Sequence, residues 1–197
     1  MLSLTQVLIG LGAGLFIPYF NLYFVEHLGA TSALFGLVDG GATAIIALFT
    51  LGAPLLAVRL GKVGTIALTE LASIPLLLTL GLTSSLPIAV VVYLFRYGLM
   101  DMSVGIFQVF SMEAAPVEHR GLANSSYQAS FQVAWALMAP LGGVIIVHLG
   151  YVPIFVVATV CYILSIAVLW GWFGGRKGKD RDLLRQEAEV VPQGDAL

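Results

Sequence analysis

The sequence predicts an all-α membrane protein with six transmembrane helices. Apolar residues make up 59% of the 197 residues, against about 45–50% in an ordinary globular chain, and charged residues make up 10%, against about 25%. About half of the charged residues lie in the last segment, 176–197, so the rest of the chain is a series of apolar runs separated by short polar breaks. Too few polar residues remain to cover a surface in water. Lipid is therefore the expected solvent.

Six apolar segments are long enough to cross a bilayer, which takes about 20 residues of helix. The predicted helices α1 to α6 are 2–26, 33–57, 63–83, 87–111, 122–147 and 151–173. They form one predicted transmembrane domain, 1–175, followed by a solvated cytoplasmic tail, 176–197. A signal peptide is not expected, because no basic segment precedes α1, its apolar stretch is too long and no A-x-A cleavage site follows it.

The basic residues indicate how the six helices are oriented. With six crossings, eight of the nine Lys and Arg residues fall on one side of the membrane, in the α2–α3 and α4–α5 connections and in the tail. These residues are Arg59, Lys62, Arg120, Arg176, Lys177, Lys179, Arg181 and Arg185. By the positive-inside rule both termini then lie in the cytoplasm. The predicted location is the cytoplasmic (inner) membrane of a bacterium.

Four charged residues are predicted at membrane depth, where a charge is costly unless it is paired or hydrated. They are Asp39 in α2, Glu70 in α3, and Arg96 and Asp101 in α4. Arg96 and Asp101 project about 140° apart around the helix, so they are not expected to neutralise each other. Two interpretations of Arg96 stay open. It lines a hydrated cavity, where it binds substrate or tunes a proton carrier, or it pairs with an acidic residue on another helix.

The buried carboxylates are candidates for carrying an ion, because burial favours the protonated form of a carboxyl group. Asp39 and Asp101 are the predicted ion-coupling residues. Asp39 and Glu70 are equally consistent with a paired residue or one that reaches the membrane interface. Glu70, in a helix that is otherwise mainly Leu and Ile, is the less convincing carrier.

One side of α5 carries amide, hydroxyl and small side chains within roughly 60° of one line at helical spacing. This stripe consists of Gly121, Asn124, Ser125, Gln128, Gln132, Trp135, Ala139, Gly142 and Gly143. α1 has a shorter version with Gly10, Gly14 and Asn21. Such stripes are typical of a water-filled route or a surface that meets another bundle, and the alternative is hydrogen bonding between helices. The predicted substrate-cavity residues are Asn21, Arg96, Gln128, Gln132 and Trp135.

Pairs of glycines with GxxxG spacing, which favours close packing of membrane helices, occur in three places. They are Gly10/Gly14, Gly36/Gly40 and Gly171/Gly175. A glycine-rich chain also produces this spacing by chance, so each pair alone is weak evidence.

The sequence contains no enzyme signature. His27, His119 and His148 lie at helix ends, no H-E-x-x-H or G-x-S-x-G occurs, and neither Gly-Lys pair completes a phosphate-binding loop. The net charge of −2 gives no support for nucleic-acid binding. We therefore predict neither an enzyme nor a bound cofactor or metal.

Two connections and one helix contain recognisable motifs. PLLAVRLGK, at 54–62, is similar to a cytoplasmic G-x-x-x-D-R-x-G-R/K signature: Arg59, Gly61 and Lys62 match, whereas Pro and Val replace its Gly and Asp. MEAAPVEHRGLANS, at 112–125, is similar to a P-x-x-x-R-G-x-A-x-S stretch and includes Arg120 and Gly121. Pro140 with Gly142 and Gly143 is loosely similar to a Pro-Gly-Gly element. Over 4–173 the chain resembles the C-terminal six-helix half of a major facilitator superfamily (MFS) transporter.

The resemblance implies an MFS-type half with a 3+3 helix repeat, which shares a midplane cavity with a second half and transports by alternating access. It implies that α1 and α4 line the cavity, α2 and α5 face the other half, and α3 and α6 face lipid. A chain with one half is expected to be a truncated gene product or a half-transporter. It would pair with an N-terminal half or with a second copy, and it would self-associate or be unstable alone in detergent.

The leading hypothesis is transport of a small solute, coupled to protons, with efflux favoured over uptake. The expected partners are the lipid bilayer, a small-molecule substrate and a second six-helix half. The alternative is a non-transporting membrane module or remnant that assembles with another membrane protein. A six-helix membrane enzyme is a third, more distant class.

Overall fold

The computed structural model describes residues 2–173, which form six long helices with no strand among them. The helices are α1 Leu2–His27, α2 Ser32–Leu60, α3 Lys62–Leu82, α4 Leu86–Glu113, α5 Val117–Leu149 and α6 Val152–Phe173. All six are long and apolar enough to cross a membrane, so the predicted six-helix membrane fold is confirmed. The predicted tail, 176–197, lies outside the described residues.

Local chemistry determines where α2 begins and ends. The side-chain oxygen of Thr31 accepts a hydrogen bond from the Leu34 N–H at 3.1 Å and so caps the first turn. At the other end, the Gly61 N–H donates to the Ala57 carbonyl at 2.9 Å. Gly61 has a φ of 77°, a conformation that glycine adopts without steric cost. The glycine of the PLLAVRLGK motif is therefore required by the one-residue turn between α2 and α3.

The packing of the helices follows an internal repeat. α1 packs on α5 and α6, α4 packs on α2 and α3, and α3 packs on α6. Exchanging α1 with α4, α2 with α5 and α3 with α6 converts the two pairings of α1 into the two pairings of α4 and leaves the α3–α6 pairing unchanged. Because α1 and α4 cross the bundle in opposite directions, the two three-helix units form an inverted repeat. The predicted 3+3 organisation is confirmed.

α1 and α5 approach each other closely through glycine. A Cβ atom placed on Gly10 would lie 2.5 Å from the carbonyl oxygen of Phe131, and one on Gly14 would lie 2.5 Å from that of Trp135. No side chain other than hydrogen fits at these distances. The Gly10/Gly14 pair is therefore a close-packing motif in this fold.

The other GxxxG spacings have different surroundings. A Cβ atom on Gly36 or Gly40 of α2 would have no described atom within 4 Å, and the same holds for Gly171 of α6. Gly175 lies outside the described residues. Sequence spacing alone therefore does not separate a packed glycine pair from an exposed one.

α1 is irregular where Pro18 interrupts it. The segment Ile17–Tyr19 is a 3₁₀ turn, consistent with the N–H that proline lacks, and a π-helical turn follows at Tyr23–His27. The Tyr19 hydroxyl donates to the Ala139 carbonyl of α5 at 2.6 Å. This hydrogen bond ties the irregular part of α1 to the neighbouring helix.

α2 and α5 are the least buried helices. Only 11% of the most apolar stretch of each is buried, against 39–56% in the other four helices. The interior lies between α1, α3, α4 and α6, and aromatic side chains fill much of it: Phe16, Phe20, Tyr23, Phe24, Tyr93, Phe155 and Tyr162. α2 and α5 therefore flank this core and leave broad surfaces uncovered by the rest of the described chain.

At the end of the bundle opposite the α2–α3 and α4–α5 connections, Tyr151 links the α5–α6 connection to α1. Its hydroxyl donates to Glu26 Oε2 at 3.3 Å. Partial burial and the neighbouring carboxylate raise the pKa of Tyr151 to about 12. The phenol therefore remains a hydrogen-bond donor at physiological pH.

Candidate functional site

A cavity of about 70 Å³ lies between α1, α3, α4 and α5. It occupies the half of the bundle nearest the α2–α3 and α4–α5 connections, and it has room for a few water molecules. Most of the cavity wall is apolar, with Ile9, Met100 and Phe131 among its residues. The polar side chains that line it include Gln6, Glu70, Ser103, Gln108, Asn124 and Gln128.

Glu70 and Ser103 are the most deeply buried of these polar residues, each with 2% of its surface exposed. Glu70 is the acidic one. Its Oε1 accepts a hydrogen bond from the Ser103 hydroxyl of α4 at 3.1 Å. Its Oε2 is buried and has no hydrogen-bond partner among residues 2–173. A carboxyl group with one free oxygen beside a cavity can take up a proton or coordinate a cation.

Exposure increases from Glu70 towards α5. Gln108 and Asn124 are half-buried, and Gln128 is exposed. All three line the same cavity as Glu70. The cavity lining therefore combines a deeply buried carboxylate on α3 with amide residues of α4 and α5 that are partly or fully exposed.

The burial of α3 is one-sided. Leu68, Leu71 and Leu82 are exposed, in keeping with the expectation from the MFS resemblance that α3 faces lipid, which stays a prediction. Glu70 lies on the opposite, inner face. The signal for this was available in the sequence, since Thr69, Glu70 and Ser73 place three polar side chains at helical spacing on one side of an apolar helix.

Arg96 lies outside the cavity, in an aromatic environment, and is 2% exposed. Its Cζ atom is 4.7 Å from the ring centroid of Phe16 and 5.9 Å from that of Tyr162. Its Nη2 donates to the Tyr162 hydroxyl at 3.3 Å. In the described part of the chain no carboxylate lies within 4 Å of this guanidinium. The guanidinium therefore contacts the ring of Phe16 on α1 and both the ring and the hydroxyl of Tyr162 on α6. Neither of the two interpretations of Arg96 from the sequence included these contacts.

The two predicted ion-coupling residues lie away from the cavity lining. Asp39 is exposed on α2, and its Oδ1 accepts a hydrogen bond from the Tyr93 hydroxyl at 2.6 Å. Tyr93 is buried and packs edge-on against Phe20, with ring centroids 5.0 Å apart. Asp101 is half-buried on α4. The roles of Asp39 and Asp101 in ion coupling remain predictions.

The remaining predicted cavity residues are spread over the bundle. Gln128 lines the cavity, whereas Gln132, the next turn along α5, is exposed on the surface. Trp135 is half-buried where the α5 backbone meets Gly14. Asn21 is exposed just beyond the break in α1. The α5 stripe thus serves several purposes, since part of it packs on α1, part lines the cavity and part faces outward.

The signature residues lie together at one end of the bundle. Arg59 is exposed in the last turn of α2, and the Arg120 Nε donates to the Ala115 carbonyl at 3.4 Å. Lys62, at the start of α3, forms an ion pair with Glu113 at the end of α4. In this chain Lys62 therefore has its acidic partner on α4, and the signature's missing Asp is not required for that contact.

We expect Lys62→Gln to lower the free energy of unfolding by less than about 1 kcal/mol, because the ion pair with Glu113 is partly exposed to solvent. Chemical unfolding of the protein in detergent, followed by tryptophan fluorescence, measures this difference. Arg59→Gln is the matched control, since Arg59 is an exposed cation at the same end of the bundle. A loss of several kcal/mol in the Lys62 variant alone would contradict the expectation.

Comparison with known proteins identifies a family that the chain matches. The family model described as Major Facilitator Superfamily matches residues 2–193 and so covers the whole described bundle. A search of curated proteins found no match.

Proposed function

The chain belongs to the major facilitator superfamily of membrane transporters, and on this premise we propose that it moves a small solute across the membrane by alternating access. In this proposal the six helices act as one half of the transporter. A second six-helix half, either an N-terminal half or another copy of this chain, covers the exposed α2 and α5. The two halves rock against each other around a shared cavity.

The observation that carries the proposal is the exposed polar face of α5. Gln128 and Gln132 are exposed although α5 is a membrane-spanning helix, and neither has a hydrogen-bond partner among residues 2–173. Nearby Ser126 and Ser130 satisfy their hydroxyls by donating to carbonyls one turn back, at 2.8 and 2.7 Å. An amide in hydrocarbon with no partner is costly. Water, a solute or a second half would remove this cost.

The inverted repeat supports the same interpretation. It relates α2 to α5, and these are the two helices that the described chain leaves most exposed. The uncovered surface is thus a feature of both three-helix units. A surface shared in this way by related helices suits an interface that opens and closes between two halves.

The direction of transport and the coupling ion are further parts of the proposal. Arg59, Lys62 and Arg120 lie at one end of the bundle, and the positive-inside rule assigns that end to the cytoplasm. With this orientation the Glu70 cavity lies on the cytoplasmic side. We propose proton-coupled efflux by exchange, in which the buried carboxyl group releases its proton to the cytoplasm when solute binds from that side and takes up a proton again from the opposite side.

The test is solute flux in proteoliposomes made with this chain alone and with this chain plus a second six-helix half. A panel of radiolabelled small solutes is followed with and without a pH gradient across the vesicle membrane. We expect flux from the assembled pair, with a rate that depends on the gradient. A pair that assembles and moves none of the solutes in either direction would favour the non-transporting module.

We expect Gln132→Leu to lower the flux of the assembled pair at least about fivefold, the effect of losing one net hydrogen bond of about 1 kcal/mol to solute or partner. The isolated chain should keep its unfolding midpoint, because Gln132 is exposed and contacts no described partner. Val133→Leu, one residue along and 60% exposed, is the control and should retain full flux. Equal flux in both variants would argue against a role for the exposed face of α5.

A further inference from the structure

We propose that the cavity beside Glu70 is a binding site for a single monovalent cation, a proton or an alkali ion such as sodium, with the Glu70 carboxylate as its anchor. The proposal deepens the proposed function by naming where a coupling ion binds. Its test is a binding measurement on the protein, so it can fail or succeed whether or not transport is observed.

The first argument is the charge on Glu70. Its carboxylate is buried, and no Lys, Arg or His of residues 2–173 lies within 4 Å of it. Arg96, the one cation deep in the bundle among the described residues, stacks on Phe16 and bonds to Tyr162. An unpaired carboxylate in this environment is strongly disfavoured. A cation in the cavity removes the charge.

The other titratable groups around the cavity do not supply that cation. On α4, Asp101 and Tyr97 are half-buried and would add negative charge if ionised, as would Tyr162 and Cys161 of α6. Tyr127 of α5 lines the cavity itself, and α1 contributes Gln6 as its polar group there. Neutrality at Glu70 therefore depends on a proton or an ion that enters from outside.

The second argument is the donor set. The residues that line the cavity carry several side-chain oxygens: the Glu70 carboxylate, whose Oε2 has no partner among residues 2–173, the Ser103 hydroxyl, and the amides of Gln6, Gln108, Asn124 and Gln128. Oxygen ligands suit hard cations, and residues 2–173 contain no cluster of three His, Cys, Asp or Glu that could hold a transition metal. One carboxylate balances one positive charge, whereas a divalent ion would leave a net charge in the bundle.

The third argument is size and access. At about 70 Å³ the cavity is smaller than the 300–1,000 Å³ typical of pockets for drug-sized ligands, but it accommodates an ion with a few waters. Gln128 is exposed at the α5 end of the cavity and Glu70 is buried within it. An ion can therefore enter between α4 and α5 and reach the carboxylate past amide oxygens.

The experiment compares the wild-type chain with Glu70→Gln, which removes the charge and keeps an oxygen that can accept from Ser103. Glu118→Gln is the matched control, because it makes the same change at an exposed carboxylate of α5 that does not line the cavity. Purified protein is titrated with ²²Na⁺ at pH 8, with choline keeping the ionic strength constant. In parallel, infrared difference spectra between pH 5 and pH 9 follow the carbonyl band of protonated carboxyl groups.

The two arms distinguish the ion. Saturable binding of one Na⁺ per chain, weakened as pH falls, identifies an alkali ion, and a buried carboxyl band that titrates without a sodium effect identifies a proton. Either signal should disappear in Glu70→Gln and persist in Glu118→Gln. Neither signal in the wild-type chain, or the same signal in Glu70→Gln, would overturn the proposal.

A second variant guards against a folding defect in Glu70→Gln. Gln108→Leu keeps the carboxylate and removes one half-buried amide from the cavity wall. We expect it to weaken Na⁺ binding about tenfold, or to shift the pH midpoint of the Glu70 band by about one unit. An unchanged affinity and an unchanged midpoint would show that the amide wall does not contribute to the site, and this would also overturn the proposal.

Discussion

Replacing Gly14 by valine is expected to lower the free energy of unfolding by about 3 kcal/mol or more and to separate α1 from α5. A Cβ atom at this position would lie 2.5 Å from the Trp135 carbonyl oxygen and 3.1 Å from the Met138 Cβ. The nearest atom belongs to the backbone of a helix, which cannot move aside as a flexible side chain can, so overpacking is costly. Thermal unfolding in detergent, followed by circular dichroism, measures the loss.

Gly40→Val is the control for this prediction. Gly40 belongs to a pair with the same GxxxG spacing, but a Cβ atom there would meet no described atom within 4 Å. We expect its unfolding midpoint to change little in the isolated chain, in line with other exposed substitutions. If the two valine variants lost the same stability, the close contact between α1 and α5 would not be the cause.

The second large effect is expected for Arg96→Ala, which should lower the free energy of unfolding by about 3 kcal/mol or more. The variant loses the cation–π contacts with Phe16 and Tyr162, worth about 2 kcal/mol or more where they are desolvated, and leaves a void in the core. Val91→Ala, on the exposed side of the same helix, should cost much less. Chemical unfolding of the two variants compares these costs.

Flux measurements then separate a structural role of Arg96 from a substrate contact. Arg96→Lys keeps the charge but loses the planar group that stacks on the rings, so it should be intermediate in stability. With a structural role, the flux per folded molecule of the assembled pair stays near the wild-type value in this variant. An Arg96→Ala protein of full stability with no flux would instead indicate that Arg96 binds the substrate.

The number of helices and their alternation across the membrane are predictable from the sequence because they depend on local properties. Hydropathy summed over about 20 residues identifies each span, whatever its neighbours are. The turn at Gly61 is local in the same way, since one residue with positive φ separates α2 from α3. The structure therefore adds little to these features beyond the helix ends, which differ from the predicted ones by a few residues.

Which residues form the candidate site depends on contacts between parts of the chain that are distant in sequence. Ser103 meets Glu70 across 33 residues, and Arg96 meets Tyr162 across 66. Helical periodicity can show which side chains share a face, but not which face of another helix lies opposite. For this reason Glu70 ranked below Asp39 and Asp101 as a carrier from the sequence, although it is the carboxylate that the fold places beside a cavity.

The sequence by itself determined that this chain is a six-helix membrane protein. The free energy of transferring an apolar segment into lipid is a sum over its residues, so it can be estimated without knowing how the helices pack. Only the tertiary structure decided that Gly14 is packed while Gly40 is open, and that Arg96 is surrounded by aromatic rings while Glu70 borders a cavity. The energies of these positions come from close contacts and desolvation. Both depend on which helices meet, and that is a property of the assembled bundle.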